Sequence, residues 1–600
     1  MKRLISGLLA VSFPAFGAEI PVFDGGEVVV TATRTPRKIT ETLSSITVIG
    51  PEQIAAAGQQ TLGEVLQAAA GAELRTTGGP GQPATIFLRG SNSNHVLVLV
   101  DGIRMDNVTS GATALESIPL EQIERIEVLR GPASSLYGSD AIGGVVQIFT
   151  RSGTGTPRVS ASAGLGSYNT QSLSAGFGGK SHDTRFNLQA GQNQSDGFSA
   201  TNPAAGPYGY NPDRDGYRNT HFSAKLARNL TPDDEIGASV FASDSTIHYD
   251  AGLGGDDLKK QKLRAYSIHS RNRINPMWTS TVKLGRGEDS YSFANTAWPS
   301  STDSTQDQAS WQNDLKLGFG NLSLGAERLN QKVSGTTAYD RTERTVNGLF
   351  AAYQGDFGAH GLQASARRDD NSQFGQHDTG SLAYGYRFSP AWRASAGMGT
   401  AFKAPSFMDL YYPGFSNPNL KPERARSREV GMQYTAGMHT VDVRYFDSHI
   451  SDLIVFAGMA PENISKAHID GVELSYRGEL AGLGLRASLT LQQPRDEDTG
   501  KRLRGRAAQH ASLGVAKGFA GWLVGAEVVA SGARFDSTDE APASRMGGYG
   551  LVNLTARHEI NREFSLNARW NNVFDREYVL AQGYNTPGSN LFVSLQYQPR

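Results

Sequence analysis

Two neighbouring stretches organise this chain: TIFLRGSNSNHVLVLVDGIRMDN at residues 85–107 and IPLEQIERIEVLRGPASSLYGSDAIGGVVQIFTR at residues 118–151. Short runs rich in β-branched residues alternate in them with glycine-containing turns such as Asp101-Gly102. Runs of this kind, separated by Gly, Asn and Pro, indicate strands joined by tight turns. Residues 85–151 therefore predict a compact mixed domain built around a small sheet.

The chain before this region adds helices to the same domain. Residues 44–49 form a β-prone run, and Pro51 follows at a position suited to the first turn of a helix. Thr61 and Glu64 have the spacing of a capping box, which predicts that a second helix begins there. Together these residues predict an α+β domain.

From residue 158 onward, apolar and polar residues alternate along the chain. The clearest run places apolar residues at every second position: Leu483, Leu485, Ala487, Leu489 and Leu491. Alternation with period two is typical of strands in a barrel that turns one face to lipid and the other to a polar lumen. A large soluble sandwich or propeller is the alternative, although the sequence has no repeat of blade length.

Composition narrows the class of protein. After the N-terminus no stretch of 18 apolar residues occurs, so a membrane-embedded form has to be a β-barrel. The net charge of −1 argues against a nucleic-acid partner, and the absence of cysteine excludes disulfides and thiolate sites. Neither a His-Glu-x-x-His pair nor a Gly-x-Ser-x-Gly elbow is present, so we predict no enzymatic activity.

The N-terminus has the order of a secretory signal peptide. Lys2 and Arg3 precede an apolar run at residues 4–16, which is too short to span a membrane and is followed by small residues. We therefore predict a signal peptide at residues 1–17 and export of the mature chain.

Several short sequence motifs resemble those of one protein family. LRGPASSLYG at residues 129–138 resembles the plug domain of TonB-dependent outer-membrane receptors, while AFKAPS at 401–406 and NVFDREY at 572–578 resemble parts of their barrels. The resemblance implies a transmembrane β-barrel of about 22 antiparallel strands at residues 152–600, with an N-terminal α+β plug domain at residues 40–151 inside the lumen. It also implies a monomer in the cell outer membrane, surrounded by outer-membrane lipid.

A β-prone run near the N-terminus resembles the TonB box of this family. The predicted periplasmic segment is 18–39 and the predicted box is 26–33; the box residues are Glu27, Val28, Val29, Val30, Thr31, Ala32 and Thr33. The resemblance implies that the energy-transducing protein TonB grasps this segment by strand addition, in which backbone hydrogen bonds supply the affinity. Taken alone, the run is equally compatible with an ordinary edge strand.

One barrel segment, ARRDDNSQFGQH at residues 366–377, resembles the cobalamin (vitamin B12) receptors of the family. That resemblance implies substrate contacts at Pro83, Thr85, Asn92, Ser110, Gly111, Ala251 and Arg506. Neutral amides and hydroxyls suit a ligand fringed with amide groups, because donors and acceptors match without desolvation of a charge. Two alternatives stay open: Asn92 serves only to turn the chain, or Arg504 takes the place of Arg506.

Two acidic loops resemble the calcium-binding loops of the same receptors. The implied calcium ligands are Asn211, Asp213, Asp215, Tyr249, Asp250 and Asp257. Hard cations such as calcium take six to eight oxygen ligands, which carboxylates and carbonyls supply. The sequence departs from the family at Ser199, where a further aspartate is expected. Ordinary solvated acidic loops are the alternative.

Together the resemblances predict TonB-dependent active import of cobalamin or a related corrinoid, with calcium ions ordering the ligand-binding loops. A siderophore or haem receptor is the alternative within the family, although the absence of histidine between Phe402 and Leu420 counts against haem. A passive porin is the alternative outside it. A porin has an open lumen, so residues 40–151 would have no role there.

Overall fold

The computed structural model describes residues 28–58, 60–252, 254–457 and 460–599. The predicted signal peptide, the start of the predicted periplasmic segment and Glu27 lie outside these residues. Within them, no helix is long and apolar enough to cross a membrane.

The N-terminal part of the described chain is a mixed α/β domain. Its strands are β1 (Val28–Val29), β2 (Arg37–Lys38), β3 (Ile46–Ile49), β4 (Glu73–Thr76), β5 (Ala84–Phe87), β6 (Val96–Val100), β7 (Ile103–Arg104), β8 (Ile123–Arg130) and β9 (Gly144–Thr150). Its helices are α1 (Pro51–Ala55), α2 (Leu62–Ala70) and α3 (Ser134–Tyr137). Five strands form one sheet in the order β3-β8-β9-β6-β7, in which β6 and β9 run parallel.

Helix α2 begins where the capping box predicts. The Thr61 hydroxyl accepts a hydrogen bond from the Glu64 backbone N–H, and the Glu64 carboxylate accepts one from the Thr61 N–H at 2.7 Å. The helix ends at Gly71, whose φ of 60° is the left-handed conformation that favours glycine. Leu62 and Leu66 on this helix are buried in the core of the domain.

Within the described residues, a closed antiparallel barrel of 22 strands follows, which confirms the predicted fold class. Its first eleven strands are β10 (Arg158–Gly166), β11 (Thr170–Ser181), β12 (Thr184–Ser195), β13 (Tyr217–Asn229), β14 (Asp234–Tyr249), β15 (Asp257–Asn275), β16 (Trp278–Ala294), β17 (Ser300–Leu317), β18 (Gly320–Gly335), β19 (Glu343–Phe357) and β20 (His360–Asn371).

The remaining barrel strands are interrupted by one helix and one small hairpin in the loops. In chain order these elements are β21 (Gly375–Arg387), β22 (Trp392–Lys403), α4 (Phe407–Tyr411), β23 (Glu423–Ala436), β24 (His439–Ala457), β25 (Ala460–Leu480), β26 (Leu483–Asp496), β27 (Gln509–Phe519), β28 (Trp522–Ser531), β29 (Arg534–Phe535), β30 (Arg545–Met546), β31 (Tyr549–Glu559), β32 (Phe564–Asn571) and β33 (Asn590–Tyr597). Strands β29 and β30 form the hairpin, and β33 closes the barrel by pairing with β10.

The strands alternate as the sequence pattern predicts. On β24, Val443 and Tyr445 are exposed on the outer wall, while Arg444 and Phe446 are buried on the lumen side. One end of the barrel carries turns of two to four residues, whereas long loops such as 196–216 leave the other end. Because outer-membrane barrels have short periplasmic turns and longer extracellular loops, the long-loop end is the extracellular one.

The N-terminal domain lies inside the barrel. Arg89 beside β5 pairs with Glu429 on β23 at 2.9 Å and with Glu473 on β25 at 2.8 Å. His95 beside β6 contacts Glu423 at 3.1 Å, and both side chains are buried. The lumen is therefore occupied by the chain's own N-terminal domain, as expected of a plug.

Candidate functional site

Arg506 joins the barrel loop after β26 to the tip of the plug. Its guanidinium donates to the carbonyls of Gly90 and Ser91, each at 3.2 Å, and to the side chain of Asn92. The guanidinium also lies 4.2 Å from the centre of the Phe87 ring. Arg506 is thus a buried contact that holds the plug tip against an extracellular loop.

Arg504, the alternative to Arg506, does not reach the plug tip. Its side chain is 53% exposed and pairs with Asp536 at 2.9 Å. Asn92 has a turn role as well as the contact to Arg506, because its N–H donates to His95 Nδ1 at 3.3 Å. The structure therefore places Arg506 and Asn92 together and leaves Arg504 outside the group.

Four of the five other predicted substrate contacts lie on the plug: Thr85 on β5, and Pro83, Ser110 and Gly111 in loops. Pro83 is exposed and Thr85 is half-buried, with the Thr85 hydroxyl donating to the Arg75 carbonyl at 3.3 Å. Ser110 and Gly111 form a half-buried turn, closed by a hydrogen bond from the Gly111 N–H to the Asn107 carbonyl at 2.7 Å. These four positions offer backbone and hydroxyl groups and carry no charge.

Three of the predicted calcium ligands come together. Carboxylate oxygens of Asp213, Asp215 and Asp250 lie within 4.8 Å of one another. Asp215 is buried and accepts a hydrogen bond from the Ala200 N–H at 2.7 Å, and Asp250 accepts one from the Thr201 hydroxyl. In the part of the chain that the structure describes, no Lys or Arg pairs with this trio.

The remaining predicted ligands make other contacts around the trio. The Asn211 side-chain amide donates to the Gly255 carbonyl at 3.1 Å, and the Asp257 carboxylate accepts from the Ala251 N–H at 3.1 Å. The Tyr249 ring packs edge-on against Phe293. These residues shape the same part of the molecule, and the Asp257 carboxylate is not gathered with the other three.

Burial shifts the pKa values of two carboxyls in the trio. Burial raises the pKa of the Asp215 carboxyl to about 7, and the negative charges of Asp250 and Asp213 add to the rise. Burial likewise raises the pKa of Asp250. Two of the three clustered carboxyls therefore hold their protons more tightly than ordinary aspartates do.

Ser199 stabilises the loop that carries Asp213 and Asp215. Its hydroxyl lies within hydrogen-bond distance of the carbonyls of Asn211 at 3.0 Å and Thr201 at 2.9 Å.

The described part of the predicted TonB box is docked against the plug. Val28 and Val29 pair with β2, and Val29 is buried. The N–H groups of Val30 and Thr31 both donate to the Glu127 carboxylate at 2.9 Å, and the Thr31 hydroxyl donates to it at 2.8 Å. Tyr137 closes the contact by donating its hydroxyl to the Thr31 carbonyl at 3.0 Å.

Glu127 is a docking contact of the box that the sequence analysis did not identify. It is fully buried on β8, between the apolar residues Ile126 and Val128. Its Oε1 atom pairs with Arg125 on the same strand at 3.0 Å, while Oε2 accepts the hydrogen bonds from Val30 and Thr31. A buried carboxylate needs such polar partners, but Thr31 lies 96 residues away in sequence, so this pairing could not be predicted.

The plug does not fill the lumen at the periplasmic side. A cavity of about 740 Å³ lies between α1, α2 and the wall formed by β23 to β28 and β31 to β33. Its lining includes the periplasmic turn residues Met438 and Gly521 together with Arg444 and Arg569. The plug is therefore less tightly packed against the barrel wall on this side.

Comparisons with known proteins agree with this arrangement. Residues 38–145 match the TonB-dependent receptor plug domain, and residues 155–573 match the family described as TonB dependent receptor-like, beta-barrel. Proteins named vitamin B12 transporter BtuB are similar over nearly their full length. The one from Vibrio vulnificus is 31% identical, with 95% of each chain covered, and the one from Photobacterium profundum is 28% identical, with 98% and 99% covered.

Solved structures share the fold. A crystal structure of a mutant ferric enterobactin receptor PfeA from Pseudomonas aeruginosa matches with a TM-score of 0.80 at 20% identity, covering 95% of this chain and 100% of that one. The siderophore receptor PirA from Acinetobacter baumannii matches with a TM-score of 0.79 at 18% identity, covering 92% and 98%. At this identity the likeness concerns the fold alone. The plug, the barrel and the full-length relatives show that this chain belongs to the TonB-dependent receptors, which are transporters of the outer membrane and not enzymes.

Proposed function

We propose that this receptor imports cobalamin, or a closely related corrinoid, across the outer membrane. The observation that carries the proposal is the likeness to proteins named vitamin B12 transporters over 95% or more of both chains. The uncharged character of four predicted contacts on the plug supports it. Pro83, Thr85, Ser110 and Gly111 offer hydroxyl and backbone groups, which match the amide fringe of a corrinoid without desolvation of a charge.

Energy for import comes from TonB in this proposal. Ligand binding at the plug tip shifts the population of the box from its docked form towards a released form. TonB then pairs with the released box by strand addition and pulls, and the plug rearranges towards the periplasmic cavity. The contacts of Val30 and Thr31 with Glu127 are those that release has to break.

The purified receptor in detergent is expected to bind cyanocobalamin with submicromolar affinity. Titration followed by intrinsic fluorescence or calorimetry measures this binding. A ferric catecholate siderophore, titrated in the same way, represents the alternative class of ligand. Binding of the siderophore together with no binding of cyanocobalamin below the micromolar range would reject the corrinoid proposal and favour the siderophore alternative.

We also propose that the acidic trio binds a calcium ion. Asp213, Asp215 and Asp250 would hold the ion, because they place three unpaired carboxylates within one coordination sphere. The bound ion would neutralise the loops and order the face that the ligand contacts. Calcium is therefore expected to tighten cyanocobalamin binding by about tenfold, since ordering the loops beforehand removes part of the cost of binding.

Asp213→Ala combined with Asp250→Ala is expected to abolish the calcium effect on cyanocobalamin binding. The matched control is Asp256→Ala in the same loop, because the Asp256 carboxylate faces His248 at 2.9 Å instead of the trio. Titrations with and without calcium compare the variants. An unchanged calcium effect in the double variant would contradict this ligand assignment while leaving the corrinoid proposal intact.

Calcium affinity is expected to fall as the pH drops. Burial and neighbouring charge raise the pKa of Asp215 to about 7, so below that pH calcium has to displace a proton. The calcium affinity is therefore at its maximum well above pH 7 and falls by about tenfold per pH unit below it. At pH 6 calcium is expected to bind about tenfold more weakly than at pH 8. A chelator-competition titration measures this, and equal affinity at both pH values would contradict it.

A further inference from the structure

Two histidines face outward from neighbouring strands of the barrel wall. His449 on β24 pairs in register with His468 on β25. Their rings stack with a centroid distance of 4.2 Å and an angle of 6° between planes. Both lie just beyond the apolar band, because the outward residues four positions nearer the periplasm are Tyr445 on β24 and Val472 on β25.

Asp447 on β24 contacts the edges of both rings. Its Oδ1 atom is 3.1 Å from His449 Nε2 and 3.2 Å from His468 Nε2. The three ligand atoms all lie within 4.8 Å of one another. A metal ion bound at about 2.0–2.1 Å separates tetrahedral ligands by about 3.4 Å, so the spacings between Asp447 and each histidine fit the edges of a coordination sphere. An ion lies in the plane of each imidazole that binds it, so the two stacked rings have to turn out of their parallel arrangement when the ion binds.

A second carboxylate lies behind His449. Its Nδ1 atom lies 3.1 Å from Glu497 Oε1, in the loop after β26. A carboxylate behind the distal nitrogen is the usual support of a metal-bound histidine.

The surrounding charges do not favour a cation. Arg426 and Arg428 on β23 and Arg495 on β26 pair in register with His449, Asp447 and His468. The carboxylates of Asp447, Asp470 and Glu497 offset these three guanidinium groups, and the exposed Lys466 adds a positive charge on β25. Binding of a cation therefore depends on the ligand bonds themselves.

We propose that Asp447, His449 and His468 form a binding site for one divalent transition-metal ion, with Glu497 as a positioning residue. Two imidazoles and one carboxylate suit zinc, nickel or copper, whereas calcium and magnesium take oxygen ligands. The ion links β24 to β25 at the outer edge of the lipid band. The site is separate from the acidic trio and does not depend on the identity of the transported ligand.

Titration of the tag-free receptor in detergent with Ni²⁺ and Co²⁺ tests this site. One ion per chain is expected, with a cobalt absorption spectrum that shows nitrogen ligands. His449→Gln and His468→Gln are each expected to weaken binding at least about tenfold, and Glu497→Gln by about tenfold. Heat-modified gel migration checks that each variant barrel is folded, which is expected because His449 and Glu497 are not part of the core.

His439→Gln is the matched control. His439 also lies on β24 and stacks on a residue of β25, Tyr476, with Nδ1 and the hydroxyl oxygen 2.9 Å apart. It sits at the periplasmic end, away from Asp447, so its loss is expected to leave metal affinity unchanged. Equal affinity in wild type, His449→Gln and His468→Gln would overturn the proposal and show that the cluster binds only protons.

Discussion

Val30→Pro is expected to reduce energy-dependent cobalamin uptake to the level of cells without the receptor, a loss of at least about tenfold, while cobalamin binding is retained. Proline has no backbone N–H and cannot donate to an added strand, so pairing of TonB with the box is blocked. Uptake and surface binding of radiolabelled cobalamin in whole cells measure the two quantities separately.

The Val30→Pro substitution changes a second contact, because the Val30 N–H also donates to Glu127 in the docked state. Proline therefore removes a docking contact as well as a pairing contact. Glu127→Gln separates the two effects, since it weakens docking without changing the box. Val30→Ala keeps the N–H and serves as the second control. Uptake is expected to persist in both, and loss of uptake in Glu127→Gln would show that docking, not strand pairing, is the step that Val30→Pro damages.

Arg89→Met is expected to loosen the plug and make the outer membrane leaky. Arg89 is buried and pairs with Glu429 and Glu473, and its guanidinium lies 4.7 Å from the centre of the Phe446 ring. Loss of one member of a buried ion pair costs about 3–5 kcal/mol, because the remaining charges stay buried. Arg444 still contacts Glu429 at 2.6 Å, so the plug is expected to be destabilised and not expelled.

Conductance of the purified receptor in planar bilayers measures the leak, together with sensitivity of cells to large antibiotics that do not cross an intact outer membrane. Arg368→Met is the matched control. Arg368 pairs with Asp378 on the outer wall, where both side chains are largely exposed, so its loss is expected to leave conductance unchanged. Conductance equal to wild type in Arg89→Met would contradict a role for this network in holding the plug.

The barrel could be predicted from the sequence because its pattern is local. Alternation along residues 483–491 follows from one face meeting lipid and the other a polar lumen, and the structure has β26 there. The capping box at Thr61 and Glu64 is local as well, and α2 begins at the next residue. Each of these features depends on neighbours within a few positions.

The contacts of the site are not local, and that is why they were missed. Arg89 meets carboxylates 340 and 384 positions away, and Thr31 meets Glu127 across 96 positions. The choice between Arg504 and Arg506 depended on which side chain turns into the lumen, which alternation does not reveal in a loop. The pairing of His449 with His468 depended on the register of two long strands, which the sequence pattern does not specify.

TonB-dependent import of cobalamin is tested most directly in cells that lack their own corrinoid receptor and either contain or lack TonB. The measurement is the accumulation of radiolabelled cobalamin in these cells. We expect accumulation to require both this receptor and TonB, and surface binding to be preserved when TonB is absent. Accumulation equal to that of cells without the receptor, with the protein present and folded in the outer membrane, would contradict it.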